Sequence, residues 1–162
     1  MSGRPFSLRD GVTKSVQLFQ DESEIRGIGE GLLDRSLPIE AWTHEAHLAA
    51  CLWLIVERPD VDVDRELRSI IGGFNEAKGG VNSDTVGYHE TITRCFVAGV
   101  RHWLLRCDRP GLPDRVNGLL QAEEGSRDWP LRFFTRERLF SVEARRGSSR
   151  TENLYHVRST EN

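Results

Sequence analysis

Trp42-Thr43-His44-Glu45-Ala46-His47-Leu48-Ala49-Ala50-Cys51-Leu52-Trp53-Leu54-Ile55-Val56-Glu57 is the stretch that decides the fold. Its inner set, His47, Leu48, Cys51, Leu54 and Ile55, recurs at steps of three and four, and the same stepping leads back to His44. That period belongs to a helix, since a half-buried strand would alternate every second residue. The spacing predicts a helix that starts between Pro38 and Thr43 and runs to about Glu57, ahead of Pro59. The longest apolar run, Leu48 to Val56, has nine residues, too few to cross a bilayer.

The same period spreads outward. Asp21-Glu22-Ser23-Glu24 reads as a helix start, because acids suit the positive end of a helix, and Ile25, Ile28 and Leu32 follow at helical spacing. Val63, Leu67, Ile70, Ile71 and Phe74 mark a helix from about Val63 to Ala77, ended by Gly79-Gly80. Asn82, Ser83, Asp84 and Thr85 offer N-caps for a helix reaching about Arg106, with Ile92, Phe96, Gly99 and Trp103 on its inner stripe. Pro113 suits the first turn of a fifth helix, which carries Val116, Leu119 and Leu120 inward. Asp128-Trp129-Pro130 opens a sixth with Leu131 and Phe134. The one stretch with strand character is Ser15 to Phe19, which reads equally as an extended arm. The fold class expected is therefore all-α, a single-domain bundle of about six helices. Residues 1–20 form an N-terminal arm, 21–146 the helical domain and 147–162 a polar tail.

Composition agrees with one soluble domain: 162 residues, 38% hydrophobic and 29% charged, are enough for a real core. A net charge of −3 gives no general attraction to nucleic acid or to an anionic membrane, and neither is expected as a partner. Seven arginines between Arg127 and Arg150 face only Asp128, Glu137 and Glu143, but without a recognition motif they read as a solvated face. Cys51, Cys95 and Cys107 show no metal spacing and are odd in number, so neither a disulfide framework nor a thiolate site is expected. With no apolar signal core in Met1 to Asp10, the expected location is the cytoplasm. A homodimer is left open.

Three histidines carry the functional lead. His44 and His47 stand one helical turn apart on the same face, and stepping back three residues from Ile92 lands on His89. If the two helix starts meet, three imidazoles converge on one point, which suits zinc, iron or manganese with a water as further ligand. Asp84, a little over one turn before His89, and Glu90 are the acid/base candidates. Trp42, Asn82 and Tyr88 are placed to wall the pocket or bind what enters it. A metal-bound water there would serve a hydrolase or a transferase. The alternative is a small-ligand-binding or protein-interaction module without catalysis, its histidines tied into a polar network. Whether the protein is an enzyme stays open at this level.

Residues 42–48 and 87–93, with Phe74-Asn75-Glu76-Ala77 and Asn82-Ser83-Asp84-Thr85 between them, resemble segments of a small bacterial all-helical family. The resemblance covers about residues 38–140 and implies a helical fold, but no activity. Three-histidine bundles of the DinB type are similar only as an analogy of fold.

Overall fold

The computed structural model describes residues 16–147. Among the described residues seven α-helices follow one another: α1 (Glu22–Leu33), α2 (His44–Glu57), α3 (Val63–Ala77), α4 (Glu90–Arg106), α5 (Leu112–Gln121), α6 (Arg136–Leu139) and α7 (Val142–Arg146). Short 3-10 turns lie at Ile39–Ala41, Glu123–Gly125 and Trp129–Arg132. The fold is all-helical, with no strand among the described residues. No helix among them is long and apolar enough to cross a membrane.

The deciding stretch became the central helix. Thr43 caps α2 by accepting from the Ala46 N–H, and every residue from Leu48 to Leu54 is buried. A helix buried on all sides must be wrapped by its neighbours, and α1, α3, α4 and α5 all pack on α2. Burial of Leu48, Leu52 and Leu54 stabilises the fold by roughly 2 kcal/mol each relative to exposure. Gly29 lets α1 approach closely: a Cβ there would lie 2.1 Å from the Trp53 ring.

Phe19 is buried in extended chain. Asn117 of α5 accepts from its N–H and donates to its carbonyl, both at 2.9 Å. The amide thus imitates a strand partner, which settles the choice between strand and arm at residues 16–19. Ser15, the rest of the N-terminal arm and the tail from 148 onward lie outside the described residues.

Two expectations are corrected. The fourth helix begins at Glu90, not near residue 85. Asn82 accepts from the Tyr88 N–H and Ser83 from the Val86 N–H, and Gly87 takes φ 85°, so residues 82–87 close into a turn instead of starting a helix. The expected sixth helix is broken into the Trp129–Arg132 turn, α6 and α7, because Thr135 and Ser141 each cap a new start.

Candidate functional site

α1 to α4 enclose a pocket of about 300 Å³. Its walls are apolar: Leu32 from α1, Leu48, Ala50 and Cys51 from α2, Leu67 and Ile71 from α3, and Ile92, Phe96 and Val97 from α4. Its polar lining is His44, His47, Thr93 and Arg127.

Hydrogen bonds fix how each imidazole meets this space. A carbonyl can only accept, so a ring nitrogen beside one carries the proton. His44 donates from Nε2 to the Gly125 carbonyl at 2.8 Å, which leaves the lone pair on Nδ1. His47 donates from Nδ1 to the Thr43 carbonyl at 2.6 Å, which leaves the lone pair on Nε2. Neither lone pair has a protein partner among the described residues. Trp42 stacks on the His47 ring at 3.8 Å and turns its edge to Phe74, so it fixes the histidine from behind.

Both rings are held neutral. Burial pushes His44 below its usual pKa, and the Arg127 charge adds to that. Burial likewise pushes His47 down to about 4, with His44 and Arg127 acting in the same direction. His47 is crowded by protein yet exposed by surface area, because its free surface is the pocket wall. Arg127 is exposed at the pocket and has no ion pair among the described residues.

His89 does not join the pair, which corrects the convergence expected from the sequence. It is the N-cap of α4: Nδ1 accepts from the Ile92 N–H at 3.1 Å and Nε2 donates to the Leu139 carbonyl at 2.7 Å. Both nitrogens are thereby used, and no lone pair is left for a metal. Burial lowers its pKa, and protonation would also cost the helix its cap. Among the described residues no three His, Cys, Asp or Glu side chains are grouped to hold a metal ion.

The remaining residues singled out from the sequence lie elsewhere. Asp84 is exposed and forms a two-pronged ion pair with Arg146, which holds its carboxyl below the usual range. Glu90 is buried and fully engaged, accepting from the Tyr88 hydroxyl and from Arg94 Nε, each at 2.6 Å. Neither carboxylate lines the histidine pocket, so neither is placed as its acid or base. Asn82 donates to the Gly72 carbonyl, and with Asp84 and Tyr88 it lines a second, polar cleft. Arg127 was missed by the sequence reading; only its place in an arginine-rich stretch pointed to it.

No family model, curated protein or solved structure matches the chain.

Proposed function

We propose that this protein binds a small amphipathic carboxylate in the pocket between α1 and α4. One observation carries the reading: an apolar cavity whose polar edge combines two neutral imidazoles, each with a lone pair to offer, and a cation with no ion pair among the described residues. The apolar body of the ligand would displace water from the leucine and isoleucine walls, while Arg127 takes the carboxylate. A hydroxyl or N–H on the ligand would donate to His44 Nδ1 or His47 Nε2. The free thiols Cys51, Cys95 and Cys107 support a cytoplasmic location.

A divalent metal on His44 and His47 is the second reading, favoured by their two unshared lone pairs. Arg127 counts against it: the charge that disfavours a proton on either ring also disfavours a dication between them.

Calorimetry with hexanoate, octanoate, decanoate and phenylpropionate tests the first reading. Saturable binding is expected, with Kd raised about ten-fold in Arg127→Ala and binding abolished in Ile71→Trp, which fills the pocket. Absence of binding to every acid, or binding indifferent to both variants, would overturn it. A thermal shift with zinc, manganese or iron(II) that disappears in His47→Ala would establish the metal reading instead.

A further inference from the structure

The second cleft, about 680 Å³, lies between α3, the turn at residues 82–87 and α7. Arg35, Arg68, Arg145 and Arg146 line it, against Glu76 and Asp84. The chain as a whole is acidic, at −3, yet this concavity holds an excess of positive charge.

Among the described residues only Arg146 is tightly neutralised, by its paired bonds to Asp84. Arg35 has no ion pair among the described residues. Arg68 comes no closer than 3.9 Å to a Glu90 oxygen and lies over the Tyr88 ring, while Glu90 itself bonds more closely to Tyr88 and Arg94. Arg145 donates from Nη1 to the carbonyls of Gly87 and Tyr88, which orients it without cancelling its charge. Like charges do not collect in one hollow for stability's sake, since their repulsion is a cost of the free protein.

The backbone is shaped around the cluster. Arg35 takes φ 65°, a left-handed conformation that is unfavourable for a non-glycine residue. Its guanidinium lies against Gly73 in mid-α3, where a Cβ would stand 2.6 Å from Nη2. The neighbouring Gly72 offers its carbonyl to Asn82, which anchors the turn on the opposite wall. Two adjacent glycines inside a helix weaken it relative to alanine. Here they bring an arginine and a turn onto the helix surface.

We infer that the cleft lined by Arg35, Arg68 and Arg145 is a binding site for a phosphorylated small molecule. Guanidinium forks match phosphate oxygens two at a time, and three forks with at most one loose ion pair among the described residues suit a dianionic or more highly charged group. The volume exceeds that of the phosphate alone and leaves room for an organic body. The cleft is separate from the histidine pocket, which shares none of its lining residues.

Calorimetry of the full chain with pyrophosphate in 150 mM potassium chloride tests this, with inorganic phosphate as the smaller probe. One saturable site is expected, with Kd raised at least ten-fold in Arg35→Gly and in Arg145→Ala. Arg35→Gly relaxes the left-handed backbone, so its melting temperature should hold or rise while binding falls. Arg132→Ala, outside the cleft, should bind as the wild type does. No saturable binding, or an equal loss in Arg132→Ala, would overturn the site. So would Kd values for Arg35→Gly and Arg145→Ala within two-fold of wild type.

Discussion

The histidine pocket and the arginine cleft share one wall, α3, and differ in almost everything else. α3 turns Leu67 and Ile71 toward the pocket and Arg68, Ser69, Gly72, Gly73 and Glu76 toward the cleft. The pocket is walled by long helices, and its apolar surroundings hold His44 and His47 neutral, with Arg127 the one cation at its edge. The cleft is completed by a turn and by α7, only five residues long, and its arginines stay charged and open to solvent. The lesson is about solvation. One helix can border a site that suppresses charge and one that gathers it, because opposite faces of a helix meet different media.

Each region leans on one buried glutamate, and removing these should have the largest effects. Glu124, 2% exposed, accepts from Arg106 and His102 and holds the Glu123–Gly125 turn against α4. The next residue, Gly125, supplies the carbonyl that fixes His44. Glu124→Ala removes the charge-assisted bonds that tie Arg106 and His102 to the turn and should destabilise the fold by about 3 kcal/mol, measured by urea unfolding. It should also weaken octanoate binding, since His44 loses its orientation. Glu90→Ala, beneath the cleft, should cost less, about 2 kcal/mol, because Arg94 keeps a bond to the Asp64 carbonyl. It removes the carboxylate nearest Arg68, so it should raise pyrophosphate affinity and spare octanoate. If each variant impaired both ligands equally, the two regions would be one cooperative site and the comparison would break.

A smaller effect with a sharper signature is expected from Gly73→Ala. The new methyl meets only the far end of Arg35, a flexible group that can move aside. Helix α3 gains propensity, about 1 kcal/mol at most, so stability should hold or rise. Arg35 must leave the α3 surface, so pyrophosphate affinity should fall several-fold while octanoate binding stays unchanged. A loss of stability with unchanged pyrophosphate affinity would show that Gly73 serves packing alone.

The sequence made the helices legible because their apolar periods are strong: α1, α2, α3 and α5 start and stop where the caps and prolines place them. It also brought His44 and His47 together, since local helical geometry alone fixes that pair. His89 was misplaced because a residue three before Ile92 lies on the inner stripe only if the helix already includes it. The imidazole instead accepts the Ile92 N–H and becomes the cap, a role usually given to serine, threonine or aspartate. Asn82, Asp84 and Tyr88 looked like the rim of the histidine pocket and line the cleft instead. Which side of α3 the turn would fall on depends on Asn82 finding the Gly72 carbonyl, a tertiary contact that no period encodes. Arg35, Arg68 and Arg145 come from three distant parts of the chain, so their convergence had no local signal at all.

A pH dependence carried by the buried histidines is expected as well. An unfolded chain protonates its histidines below about 6.5, whereas the folded chain keeps His44, His47 and His89 neutral to lower pH, in the case of His47 to about 4. Between those values the unfolded state binds more protons, so stability must fall as pH falls. Above pH 6.5 these groups contribute their full stabilisation and the dependence should vanish. The lowered carboxylates have unperturbed values near 3.8, for Asp64 and Asp84, or 4.5, for Glu57 and Glu124, and act mainly in more acidic solution. Melting temperatures at pH 7 and pH 5.5 therefore report chiefly on the histidines. His47→Gln should narrow the difference between the two values, and His89→Asn, which keeps an N-cap, should narrow it independently. Arg35→Gly changes no group that titrates in this window and should leave the difference as in the wild type. A pH response that Arg35→Gly abolished and His47→Gln preserved would place the acid-sensitive element in the cleft, and the division of labour drawn across α3 would have to be reversed.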